Sequence, residues 1–274
     1  MPIQFSGCMF APMDIVVTVK QVPDPDIPPT HFKIDEAARK VIPPAWVSPV
    51  MNGYDAHALE AALKLKEQLG GKVTVVSLGG DSARDTLKRA IAMGADAAVH
   101  VNDSSLNESD STVTARALAA AIKKLGAFDL VLSGRQASDT DGGQVHLGIA
   151  RHLGLAAVSP VQKIEDASAE SLTVERIVED GYQRLKIRLP ALVGVSSEIN
   201  DPRYPPLKGI MAAGRAQIPV WTAADLGLES VTPSVKLRRL YVETREARVE
   251  LIKADSLTEA GTKLADKLRE ARLV

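Results

Sequence analysis

Two periodicities alternate through the first half of the chain. Asp14-Ile-Val-Val-Thr-Val-Lys20 is a continuous β-branched run, the pattern of a strand buried on both faces, as in a parallel sheet. Lys72 to Leu78, Asp96 to Val101 and Phe128 to Ser133 read as three further strands. Helical spacing fills the intervals. Asn52-Gly-Tyr-Asp55 opens a helix with Leu59, Ala62 and Leu63 on one face, ended by Gly70-Gly71. Asp81 is expected to cap a second helix carrying Ala83, Leu87, Ala90 and Ile91. Asp110 caps a third, with Leu118, Ala121, Ile122 and Leu125, and a fourth carries Val145, Ile149 and Leu153.

Strands alternating with amphipathic helices predict an α/β fold: a three-layer, Rossmann-like arrangement with a mostly parallel sheet, because right-handed crossovers place helices on both faces. Gln21 to Pro49 is proline-rich and without sustained period, a long excursion with a hairpin around His31 to Ile42. After about Ala157 the pattern changes. Leu172, Val174 and Val178 lead to a turn at Glu179-Asp-Gly181, beyond which Leu185, Ile187 and Leu189 alternate with basic residues, an antiparallel addition to the sheet. Ala191 to Ser196 is another buried strand. Leu207 to Ala213 is a short helix after prolines 202, 205 and 206. The run Val235 to Ala254 reads as an extended C-terminal arm, and a closing helix with Leu257, Gly261, Leu264, Leu268 and Ala271 in a narrow stripe starts at a Ser256/Glu259 capping box.

Three segments follow: a tail over 1–12, with Met13 a possible start, an α/β domain over 13–220, and an arm with helix over 221–274. The 274 residues suffice for a large core. Lys plus Arg number 33 against 34 Asp plus Glu, a net charge of -1, which argues against nucleic acid or an anionic membrane as partner. The single cysteine, Cys8, excludes a disulfide framework or a multi-cysteine metal site within this chain and fits a cytoplasmic location. No run approaches the length of a membrane span.

Ligands of such sheets sit beyond the carboxyl ends of strands. Gly134-Arg-Gln-Ala-Ser-Asp-Thr-Asp-Gly-Gly-Gln-Val145 lies there, between a strand and a helix, with glycines for tight geometry and a helix start suited to a phosphate. It reads as a nucleotide cradle or as an ordinary polar connection. Asp139, Asp141 and Gly143 resemble the start of a calcium loop, but position 150 is Ala where a closing Glu belongs, so no metal is expected. The five histidines form no ligand pair, and His146 and His152 face different sides of a helix. Ser77-Leu-Gly-Gly-Asp-Ser82 resembles the pyrophosphate loop of adenylating ATP pyrophosphatases, an enzyme alternative, although Leu78 replaces a glycine. Glu198 to Arg215, with Tyr204, Leu207, Ile210 and Met211, reads on chemistry alone as a loop closing over the chain's own core.

Several of these stretches resemble the β subunit of electron transfer flavoproteins. Val174-Glu-Arg176-Ile-Val-Glu179-Asp180-Gly181-Tyr-Gln183-Arg-Leu185, then Pro190-Ala-Leu-Val193, is similar to that family's signature, departing at Gly194. Val19-Lys-Gln-Val-Pro-Asp24, Asn52-Gly-Tyr-Asp55, Ala92-Met-Gly-Ala-Asp96, Gly134-Arg-Gln-Ala137 and Asn200-Asp-Pro-Arg-Tyr204 resemble further motifs, so the likeness covers nearly everything after Met13.

The resemblance implies a fold like that of adenine-nucleotide α-hydrolases and a heterodimer with an α subunit that holds most of the redox-active FAD. The C-terminal arm and helix would pack on that α subunit. It implies an electron carrier without catalytic residues of its own. Structural AMP would bind at Thr18, Asn52, Gly53, Tyr54, Asp55, Leu78, Gly134, Arg135, Gln136, Ala137, Ser138, Asp139, Thr140, Asp141, Gly142, Gly143, Gln144 and Val145. In a bifurcating subset a second FAD takes that place; Lys20 to Asp24, Tyr54-Asp55 and Gln144-Val145 lean towards it, whereas Gly53 and His146-Leu147 depart. The segment around Leu207 is similar to the family's recognition loop, so that Tyr204, Leu207, Ile210 and Met211 would dock flavin-dependent dehydrogenases, including acyl-CoA dehydrogenases. An electron transfer flavoprotein-quinone oxidoreductase or similar acceptor would take the electrons onward. The lysines common after the anchor are absent here, where Ala212-Ala-Gly-Arg215 follows Met211, and Ile177 stands where an acidic residue is frequent.

Overall fold

A computed structural model describes residues 12–106, 110–228, 231–243 and 249–274. The expected tail, apart from Pro12, and Cys8 lie outside the described residues, as do 244–248 of the run 235–254. In chain order the elements are β1 (Ile15–Thr18), β2 (Gln21–Val22), β3 (Lys33–Asp35), β4 (Lys40–Ile42), β5 (Val50–Met51), α1 (Gly53–Leu69), β6 (Val73–Leu78), α2 (Ala83–Met93), β7 (Ala97–Val101) and α3 (Ser111–Leu125). There follow β8 (Leu130–Gly134), α4 (Val145–Leu153), β9 (Ala156–Ala167), β10 (Ser171–Val178), β11 (Gly181–Arg188), β12 (Ala191–Val195), α5 (Leu207–Arg215), β13 (Val220–Trp221) and α6 (Leu257–Glu270).

One nine-stranded sheet runs in the order β11-β10-β9-β12-β8-β1-β6-β7-β13. From β9 to β13 every pairing is parallel; only the β10–β11 hairpin and its junction with β9 are antiparallel. The β-branched runs fill the centre: β1, β8 and β12 are buried along their whole length, as strands covered on both faces must be. Leu59, Leu63, Leu87 and Met93 of α1 and α2 pack on one face; Val113, Leu118, Ile122 and Ile149 of α3 and α4 pack on the other. Gly148 lets α4 approach α3, since a Cβ there would stand 2.6 Å from the Ala115 Cβ.

One expectation changes, and one strand goes unread in the sequence. Asp81 does not cap α2: Ser82 takes the cap position in a helical conformation without a side-chain bond, and the Asp81 carboxylate instead accepts from Asn102 Nδ2 at 2.7 Å. The twelve-residue β9 is not visible as a strand in the sequence. It lines the boundary between the parallel and antiparallel parts, so its two faces change burial midway, and Pro160 interrupts it. Among the described residues of 235–254 no strand forms. The capping box of α6 is present in shifted form: Ser256 Oγ accepts the Glu259 N–H at 3.2 Å, while Glu259 Oε2 accepts the N–H of Asp255 rather than of Ser256.

Candidate functional site

The chain leaves β1 to build α1, β6, α2 and β7 on one side, then returns through α3 to place β8 on the other. The carboxyl ends of β1 and β8 therefore border the switch point of the sheet, the crevice in which such folds hold ligands. Thr18 ends β1 and Ser133 lies beside it in register, and the Thr18 hydroxyl donates to Ser133 Oγ at 2.9 Å.

The turn before α1 is laid across these two strand ends. Asn52 Nδ2 donates to the Gln136 carbonyl (2.9 Å) and its Oδ1 accepts from the Ser138 N–H (3.1 Å), so one amide side chain fixes the 136–138 backbone. Asp55 is buried and accepts from the Lys20 N–H (2.8 Å) and the Gly134 N–H (3.1 Å), tying the exits of β1 and β8 to the start of α1. Burial pushes its carboxyl up to about 7 against the opposing pull of those donors, of Asn52 and of Lys20. Gly134 is obligatory in this arrangement. A Cβ there would lie 2.5 Å from Asp55 Oδ1 and 2.7 Å from the Tyr54 Cβ.

Further out, Lys20 Nζ holds both oxygens of Asp139 at 2.6 and 2.7 Å, bridging the loops that follow β1 and β8. Gln136 Nε2 donates to Asp141 Oδ1 at 2.8 Å. Thus the two acidic residues that resemble a calcium loop are engaged by a lysine and an amide. The Arg135 guanidinium stacks on the Tyr54 ring 5.1 Å from its centroid, and its buried Nε has no partner among the described residues. No side chain caps α4, so its first-turn N–H groups are not claimed by a side-chain cap. Backbone donors and a stacked guanidinium suit a nucleotide phosphate.

Asn52 to Asp55, Thr18 and Gly134 to Val145 are thus brought to one place, with Leu78 ending the neighbouring strand β6. Lys20 and Ser133 belong to the same cluster but escape a reading of the sequence as site residues. A polar side chain closing an apolar run at the carboxyl edge is the signal that marks both. Beyond Leu78 the Ser77 to Ser82 stretch is occupied by this chain: Gln21 donates to the Ser82 carbonyl (2.8 Å) and accepts from its hydroxyl (2.6 Å).

His146 enters α4 at the same edge and is buried against Gly194, where a Cβ would stand 2.8 Å from the imidazole Cδ2. Burial pushes its pKa down to about 4, so the folded chain binds this proton less well than the unfolded chain, whose histidine titrates near 6.5. The contribution is complete above about 6.5 and is lost as pH falls towards 4, in all about 3 kcal/mol. We expect His146→Met to flatten the fall in thermal stability between pH 6.5 and 4 by that amount, measured as the difference from the unsubstituted protein; parallel curves for the two would refute it.

A second exposed feature lies on the segment around α5. Tyr204, Leu207, Ile210 and Met211 project from the segment around α5, Tyr204 being 90% and Leu207 75% exposed. They do not close over the chain's own core, contrary to what their chemistry alone suggests, because Arg203 and Gly209 hold the segment outward on α1 and α2. A Cβ on Gly209 would stand 2.1 Å from the Ala92 carbonyl oxygen.

Among the described residues no helix is long and apolar enough to cross a membrane. Residues 47–226 match the family model described as an electron transfer flavoprotein domain. The chain is similar to Protein FixA of Azorhizobium caulinodans, 40% identical over 226 residues that cover 80% of this chain and 79% of that protein. It is 35% identical over 266 residues to the electron transfer flavoprotein subunit beta of Clostridium acetobutylicum, covering 96% of this chain and all of the relative. It is 37% identical over 271 residues to subunit CarD of the caffeyl-CoA reductase-Etf complex of Acetobacterium woodii, at 96% and 100% coverage.

Proposed function

Because this chain belongs to the electron transfer flavoprotein family as a β subunit, we propose that its switch-point crevice holds AMP as a structural ligand while a partner α subunit carries most of the redox-active FAD. The observation that carries this reading is the double tie at the start of α1. Asn52 and Asp55 spend their side chains on fixing backbone at residues 20, 134, 136 and 138, which leaves N–H groups of the loop and of α4 to meet a phosphate. We read such a site as one that holds a nucleotide in place. AMP supplies no redox chemistry there; electrons pass through the flavin.

The apolar tip at Leu207 is the docking point for flavin-dependent dehydrogenases, acyl-CoA dehydrogenases among them, and a quinone oxidoreductase or similar protein accepts the electrons. The C-terminal arm with α6 packs on the α subunit. α6 supports that role, since none of its residues is buried within this chain and Leu257 is 93% exposed. A cytoplasmic complex fits these assignments. The adenylating alternative gains nothing from Ser77 to Ser82, where the Gln21 side chain lies.

Co-expression with the α subunit of the same source is expected to give a yellow heterodimer, and extraction of its nucleotides one FAD and one AMP. Two FAD per heterodimer would replace AMP with a second flavin in this crevice and assign the complex to the bifurcating branch.

A further inference from the structure

The segment that leads into the docking tip is held by charge, beside the close backbone contact of Gly209 on Ala92. Only Ala213 of α5 is buried, and a cleft of about 510 Å³ lined by Val50, Met51, Arg89, Ala92 and Ile210 separates the helix from β5 and part of α2. Just before α5 stands Arg203. Its Nε donates to Glu60 Oε2 at 2.8 Å, its Nη2 to Glu60 Oε1 at 3.1 Å and its Nη1 to Glu67 Oε1 at 2.6 Å, while its own backbone N–H donates to Glu60 Oε2 at 3.1 Å. Glu60 is 3% exposed, so its charge relies on this fork and on Lys64, whose Nζ lies 3.9 Å from Oε1. Three residues upstream, Asn200 and His57 bond reciprocally: Asn200 Nδ2 donates to the His57 carbonyl (3.1 Å), and the Asn200 carbonyl lies 2.7 Å from His57 Nδ1.

Glu60, Glu67 and His57 all belong to α1, the helix whose first turn frames the nucleotide crevice. We propose that Arg203 and Glu60 are positioning residues for partner docking: their fork moors the segment before α5 to α1 and thereby sets where Leu207 is presented to a dehydrogenase. This rests on the docking reading of Leu207. Without the fork the loop must be ordered when the partner arrives, and that ordering is subtracted from affinity rather than from the electron-transfer step.

The test uses the αβ heterodimer and a dehydrogenase that reduces it with saturation. Arg203→Met is expected to raise the KM for the heterodimer by about tenfold with kcat within about twofold, Arg203→Lys to recover part of the loss through a single point donor, and Glu60→Gln to behave like Arg203→Met in milder form. Flavin and nucleotide content stay unchanged, and amide hydrogen exchange quickens over 200–215. An unchanged KM in Arg203→Met with quickened exchange overturns the proposal, and so does loss of fold or nucleotide in both Arg203→Met and Glu60→Gln, which would make the fork a general stabiliser. Leu207→Ala separates the premise from the proposal. If that variant leaves KM unchanged, the docking reading fails; if it raises KM and Arg203→Met does not, the positioning role alone fails.

Discussion

Gly134→Ala is expected, on the proposed AMP role of the crevice, to yield a heterodimer that keeps its flavin and loses most of that AMP. The added methyl would lie 2.5 Å from Asp55 Oδ1, 2.7 Å from the Tyr54 Cβ and 2.9 Å from the Tyr54 carbonyl carbon. One neighbour is backbone and another is a buried carboxylate held by two N–H donors, so neither yields by rotation of a flexible side chain. The strand end must retreat from the start of α1, which lengthens the Gly134 N–H bond to Asp55 and disturbs the loop that follows. Overpacking of this kind costs about 1–3 kcal/mol, and the same displacement at the loop weakens nucleotide affinity roughly tenfold to a hundredfold. Counting bound AMP per heterodimer after gel filtration reads the effect directly. Gly142→Ala supplies the comparison, because nothing lies within 4 Å of a Cβ at Gly142, and it should keep a full complement. Equal occupancy in the two variants would remove Gly134 from any steric role.

Gly209→Ala acts on the proposed docking surface. Its methyl would stand 2.1 Å from the Ala92 carbonyl oxygen and 3.0 Å from the carbonyl carbon, a collision between two helix backbones that only movement of α5 off α2 relieves. A shift of the order of 1 Å carries the exposed Leu207, Ile210 and Met211 out of place together. With apolar anchors supplying most of the binding energy at such contacts, the KM for electron uptake from a dehydrogenase should rise by roughly tenfold or more, while AMP content is untouched. Gly214→Ala, in the same helix with open space around its Cβ, should behave like the parent. A normal KM in Gly209→Ala would mean that the seat of α5 on α2 is irrelevant to docking.

The pair of surfaces was legible in the sequence to different depths. The central strands announce themselves, because β1, β6, β7 and β8 are compact apolar runs bounded by polar or glycine residues, and burial on both faces leaves no alternation to confuse. β9 carries no such mark: with β12 on one side and β10 on the other, its burial follows neither period. The cradle loop is visible as a glycine-rich strand-to-helix turn, yet the clamp by Asn52 joins residues 84 apart in the chain, and no local pattern predicts which backbone groups an amide will find. Chemistry alone also buries Leu207. What overrides it is the Gly209 contact on Ala92 together with an ion pair over a separation of 143 residues, between an arginine and a glutamate that locally read as ordinary surface charges.

Asp110 joins the first half of the chain to the C-terminal arm. Its Oδ1 caps α3 through the Val113 N–H at 2.9 Å, while its Oδ2 accepts from the N–H groups of Ser234 and Val235 at 2.6 and 2.9 Å. The C-terminal arm thus springs from a fixed origin on the body of the subunit. Arg39 adds a second fastening, donating to the Leu237 carbonyl at 2.9 Å. For a subunit that grips a partner, a moored tether converts the second contact into an intramolecular event, with an effective concentration set by the length of chain beyond the mooring. On the proposed packing of the arm against an α subunit, moving that point of attachment by a few residues would retune its grip without altering a residue at the contact.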